Sequence, residues 1–112
     1  MAASDLYSSV LSDLTDARSI MLSPAWQAEL DKAPPAVRVD SGTALMHLQG
    51  AILALSNASL SDIAEDMRAN EAELTAAISG LTQALKNITQ VQGILNNVTK
   101  VLGVVAKVVP LL

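Results

Sequence analysis

The sequence predicts an all-α protein. Apolar residues recur at three- and four-residue spacings in the first half, a seven-residue apolar repeat fills the second, and prolines and Ser/Asn clusters mark the breaks. Its 112 residues suit one domain, 1–112, with helices expected at about 4–22, 24–32, 42–56 and 60–109 and a Pro-rich connector at 33–41. The architecture so predicted is a set of short N-terminal helices and a helical hairpin leading into a long C-terminal coiled-coil-like helix.

Each element has its own signal. Leu6, Val10, Leu14, Ala17 and Met21 form the one-sided stripe of an amphipathic helix. Ser23 followed by Pro24 pairs an N-cap residue with proline at the first helical position, so a short helix starts there, with Trp26 as its packing anchor. Pro34 and Pro35 stop that helix, and the run APPAVRVDS reads as semi-rigid connector, because proline fixes φ and disfavours helix in the residue before it. After Asp40 or Ser41 as cap, Leu45, Leu48, Ile52 and Leu55 share a face, and Ser56-Asn57-Ala58-Ser59 breaks the phase as the turn of a helical hairpin.

The second half carries the longest pattern. One set of heptad positions is Leu60, Met67, Leu74, Leu81, Ile88, Leu95, Leu102 and Val109; the other is Ile63, Asn70, Ala77, Ala84, Val91, Val98, Val105 and Leu112. Asn70 alone among them is polar, and a buried asparagine can set register, so it is the register-setting candidate. Asp62, Glu65 and Asp66 crowd the start of this segment, Lys100 and Lys107 lie toward its other end, and Pro110 marks its stop.

A straight helix over 60–109 would be about 75 Å long, too long for a globule of one such chain. Either it is a rod whose stripe other chains cover, or it folds back near Ser79-Gly80 into a compact four- or five-helix bundle. A hairpin turn normally shifts the heptad phase, yet Leu74, Ala77, Leu81 and Ala84 keep step across Gly80. That favours the rod, with Leu74, Ala77, Leu81, Ala84, Ile88, Val91, Leu95, Val98, Leu102, Val105 and Val109 as its oligomer interface. Leucine in one core set with valine and alanine in the other shifts preference from dimers to trimers or tetramers.

Charge divides the chain. Residues 1–73 hold all 11 acidic residues against four basic ones, whereas Lys86, Lys100 and Lys107 are the only charged residues of 74–112. The three lysines lie at one heptad position opposite the core, while Ile94, Val101, Val104, Val108 and Leu111 widen the apolar stripe. Residues 88–112 therefore supply an alternative: an interfacial amphipathic segment meeting lipid, with Lys86, Lys100 and Lys107 as contacts to an anionic surface.

Chemistry has little to stand on. Without cysteine, disulfide scaffolds, thiolate metal sites and cysteine nucleophiles are all excluded. A net charge of −4 and two aromatic residues argue against nucleic acid as a partner. His47, the sole histidine, has no acidic residue at helical contact spacing and reads as a surface or boundary residue. The cluster Asp62, Glu65, Asp66, Glu71 and Glu73 lacks the Glu-x-x-His spacing of carboxylate-bridged metal bundles, and no phosphate-binding loop or nucleophile motif occurs. The N-x-S/T triplets at Asn57, Asn87 and Asn97 read as surface amides, and the first ten residues lack a signal-peptide pattern, which points to a cytoplasmic chain. No cofactor, metal or catalytic residue is expected. The function expected is non-enzymatic assembly by homo-oligomerisation, with the N-terminal helices either packing along the long helix or presenting a surface to a protein partner.

Overall fold

Six helices make up the computed structural model, which describes residues 2–109: α1 (Ala3–Met21), α2 (Pro24–Asp31), α3 (Pro35–Asn57), α4 (Leu60–Ala69), α5 (Glu71–Ala84) and α6 (Val91–Val105). There is no strand among the described residues. Pro110, Leu111 and Leu112 lie outside them, and with them the expected stop and the last heptad position.

α1 is the hub. Leu6, Val10, Leu14, Ala17 and Met21 are all buried, as their spacing predicts, and the helix packs against α2, α3, α4 and α5. Tyr7 Oη donates to the carbonyl of Leu55 at 2.6 Å, a last-turn acceptor of α3 that also takes the backbone N–H of the C-cap residue Ala58 at 3.2 Å. The expected cap of α2 is present: Ser23 Oγ accepts from the backbone N–H of Trp26 at 3.2 Å, with Pro24 in the first turn. Trp26 is fully buried, and its Nε1 donates to Ser41 Oγ at 3.0 Å, which pins α2 to α3.

The connector expected at 33–41 is shorter than its composition suggested. Pro34 is extended and stands at the N-cap position, whereas Pro35 opens α3. Proline at the first helical position forfeits no hydrogen bond and already has the helical φ, so only the residues before the prolines are held out of the helix. Asp40 and Ser41, the expected caps, lie inside α3. The turn expected at Ser56-Asn57-Ala58-Ser59 is confined to Ala58-Ser59, because α3 runs on to Asn57, and α4 packs chiefly on α1 rather than forming a hairpin with α3.

The continuous helix expected over 60–109 is three helices. Asn70 ends α4 with φ −109° and ψ 15°, and its Nδ2 donates to the carbonyl of Asp66 at 2.8 Å. A short amide side chain that competes for backbone groups bends the chain at that point, so Asn70 is a junction residue rather than a register key inside a seam. The second interruption is the loop at 85–90. There Asn87 Oδ1 accepts from the backbone N–H of Thr89 at 3.2 Å and from its Oγ1 at 2.6 Å, closing an Asx turn. The chain reverses here and not at Gly80.

α5 and α6 are consequently antiparallel neighbours. Lys107 Nζ donates to Glu73 Oε2 at 2.8 Å at one end of the pair, and Gly80 faces Asn97 midway along it. The breadth of the C-terminal stripe now has a cause: α6 packs against α5 on one side and α3 on the other, burying Val91, Ile94, Leu95, Val98, Val101 and Val105. The result measures 44 × 25 × 18 Å, well short of a 75 Å rod.

A Cβ on Gly80 would stand 2.8 Å from Asn97 Oδ1. Gly80→Leu is therefore expected to part α5 from α6 and cost about 1–3 kcal/mol, less the gain in helix propensity. The check is urea denaturation, in which the midpoint falls while the slope is unchanged.

Candidate functional site

The residues expected to form an interface between chains line the chain's own core. Leu74, Leu81, Val91, Leu95, Val98, Val105 and Val109 are buried, and Ala77, Ala84, Ile88 and Leu102 are half-buried against them. Lys86, Lys100 and Lys107 do not share one line, because the loop at 85–90 breaks the helical alignment. Lys86 borders a groove with Asp13 and Asp16, Lys100 borders another with Glu73, and Lys107 pairs with that same Glu73.

His47 is exposed on α3 and makes no hydrogen bond among the described residues. With Asp40 and Thr43 it faces Gln92, Asn96 and Thr99 of α6 across an open groove of about 360 Å³. The groove thus holds one imidazole and one carboxylate among neutral amides and hydroxyls, and within it Gln92 Nε2 donates to Asn96 Oδ1 at 3.0 Å. No group of three or more His, Asp or Glu among the described residues is placed to hold a metal ion.

Two features escaped the periodicity reading. The first is Asp13 on the buried face of α1. Its Oδ1 accepts from Thr82 Oγ1 of α5 at 2.7 Å, while its Oδ2 is buried without a partner. Burial pushes this carboxyl above the usual carboxylate range; the Thr82 hydrogen bond pulls it back, and the nearby Asp16 charge adds to the rise. The signal was present, since Asp13 stands at helical spacing between Val10 and Ala17 of the core stripe.

The second is the outer face of α3. Val39, Met46 and Leu53 are 67, 63 and 62 % exposed and recur every seven residues, on the side opposite Leu48, Ile52 and Leu55. Gly42 and Gly50 flank this line, and a Cβ on either would meet nothing within 4 Å. From Ser41 to Asn57 the helix carries no Asp, Glu, Lys or Arg. An exposed helix face normally carries charges, and their depletion around large apolar side chains is the composition of an interface core.

No family model matches the chain, and neither the curated proteins nor the solved structures compared with it include a match.

Proposed function

We propose that the chain is a non-enzymatic helical assembly protein that associates with further copies of itself through the outer face of α3. One observation carries this reading: the apolar line Val39, Met46 and Leu53 stands open to water on a helix whose other face is already committed to α1 and α6. Apolar residues scattered singly on a surface need no explanation, but three in register on a helix that carries no Asp, Glu, Lys or Arg from Ser41 to Asn57 do.

Leu53→Asp tests it. Wild-type chain is expected to scatter light as a multiple of 11.7 kDa, with the variant at 11.7 kDa, unchanged in helicity and melting where the wild type melts once diluted enough to dissociate. Wild-type material that stays at the single-chain mass up to about 1 mM overturns the proposal. Co-flotation with anionic vesicles that Lys100→Glu and Lys107→Glu abolish would also overturn it, in favour of a lipid partner for the C-terminal segment. Among the described residues no helix is long and apolar enough to cross a membrane.

A further inference from the structure

Asp13 is the only carboxylate buried among the described residues, and one of its two oxygens has no partner. The residue is 9 % exposed; Oδ1 accepts from Thr82 Oγ1 at 2.7 Å, and Oδ2 is shielded from water with no donor beside it. A buried acceptor in this state is costly, and such a group in a native fold calls for a partner.

The surroundings of Asp13 say what that partner is. Its side chain lines a groove of about 330 Å³ between α1 and the end of α5. Asp16, one helical turn further along and so on the same face of α1, brings a second carboxylate, while Ser19 and Thr82 bring hydroxyl oxygens. Ile20 and Leu85, both half-buried, supply an apolar wall. We propose that this groove binds a primary ammonium carried on a short aliphatic chain, with the nitrogen held between Asp13 and Asp16 and the chain lying against Ile20 and Leu85. The site shares no lining residue with the outer face of α3, so it stands or falls apart from self-association.

Charge selects this ligand class. Among the lining residues two carboxylates are set against one ammonium, that of Lys86, so a monovalent cation brings the groove to neutrality and a divalent one overshoots it. A divalent metal ion is also poorly served, since calcium takes about six to eight oxygen ligands and no group of three or more His, Asp or Glu among the described residues is placed to hold one. Leu85 caps the C-terminus of α5, where the helix dipole favours positive charge, and the last turn of α5 holds no basic residue of its own.

Hydrogen bonding selects a primary amine. Its three N–H groups match Asp13 Oδ2, the Asp16 carboxylate and Thr82 Oγ1, whose single proton goes to Asp13 and whose lone pairs remain to accept. Aspartate χ2 is a broad torsion, so a small turn of the Asp13 carboxyl presents Oδ2 to the groove. Burial pushes that carboxyl above its usual range, and a cation seated beside it offsets the cost of ionising it there.

Heteronuclear NMR of the isotope-labelled full chain near neutral pH tests the site, with n-butylammonium chloride as the probe. It is expected to move the amide resonances of Asp13, Asp16, Thr82 and Leu85 saturably, with half-saturation at or below about 10 mM. n-Butyltrimethylammonium has the same charge and no donor, and is expected to bind at least about tenfold more weakly. Magnesium chloride is expected to leave those resonances in place. Asp13→Asn, which keeps an acceptor for Thr82 and loses the charge, is expected to weaken butylammonium binding at least about tenfold. Lys86→Gln removes the one cation of the lining and is expected to strengthen it several-fold. Nα-acetyl-lysine methylamide presents the same ammonium as a peptide does: tighter binding than butylammonium assigns the site to a lysine of a protein partner, weaker binding to a free amine, and both uphold it.

No saturable movement up to about 100 mM butylammonium, or binding that survives Asp13→Asn undiminished, overturns the proposal. Magnesium saturating at a lower concentration than butylammonium overturns it in favour of a metal ion. Equal binding of the two ammonium probes overturns it in favour of a merely anionic surface. Binding that appears only in Lys86→Gln overturns it for the natural chain, because Lys86 then occupies the site itself. Far-UV circular dichroism equal to wild type in both variants shows that each is folded.

Discussion

Leu81→Asp is expected to unfold the subunit, whereas Leu53→Asp leaves it folded. Leu81 is 0 % exposed, at the point where α5 is packed between α1 and α6. Removing such a side chain alone costs about 2–5 kcal/mol. Putting an unpaired carboxylate in its place adds several more, because no donor or cation on these apolar faces can compensate it. A domain of this size has a total stability on the order of 5–15 kcal/mol. The cooperative thermal transition followed by circular dichroism is therefore expected to vanish, or to fall below about 30 °C. A variant that keeps its melting transition and only loses mass would mean that Leu81 is covered by another chain, and that α5 and α6 do not fold back on each other.

That contrast shows what the sequence made legible. The all-helical class, the stripe of α1, the Ser23 cap and the burial of Trp26 all follow from local spacing and capping chemistry, which act within a few residues. The reversal between α5 and α6 did not follow, for a physical reason. Ala84, the last residue of α5, and Val91, the first of α6, are one heptad apart. A loop that spans a full heptad returns the chain to the same phase as an unbroken helix would. Phase continuity therefore cannot distinguish the two, and the informative residues were Asn87 and Thr89, whose side-chain turn was masked by the apolar positions around them. Periodicity also identifies an apolar stripe without saying what covers it, which is why the heptad of the second half pointed to other chains. The outer line of α3 was readable by the same rule, since Val39, Met46 and Leu53 are spaced by sevens, but the stronger inner stripe of that helix drew the assignment. Asp13 was hidden by its character: a carboxylate among core positions is discounted as surface until a partner such as Thr82 arrives from 69 residues away.

Asp13 makes the stability of the fold depend on pH in an unusual direction. The residue is 9 % exposed, with one oxygen bonded to Thr82 and the other unpaired. Burial, the larger cause, raises its folded-state pKa above the unfolded value of about 3.9. A carboxyl that is harder to ionise when folded binds its proton more tightly in the native state, so its contribution runs against the usual acid-denaturation trend. Below the unfolded pKa both states are protonated and there is no penalty. As pH rises the unfolded chain ionises first, and the penalty grows until the folded carboxyl has ionised as well, after which it is constant. Asp13→Asn removes the charge and retains an acceptor for the Thr82 hydroxyl. The variant is therefore expected to be more stable than wild type at pH 8 by the cost of ionising the buried carboxyl, about 1.4 kcal/mol for each unit by which its folded-state pKa is raised. That advantage is expected to shrink as pH falls and to disappear near pH 3, where the wild-type side chain is also neutral. Other carboxylates titrate over the same range, so the quantity to measure is the difference in urea midpoint between the two proteins at each pH. A difference that is flat with pH would mean that Asp13 ionises alike in both states and that its unpaired oxygen is hydrated in solution. A difference of opposite sign would mean that the carboxylate is held by a cation, for which Lys86, at the rim of the same groove, is the candidate.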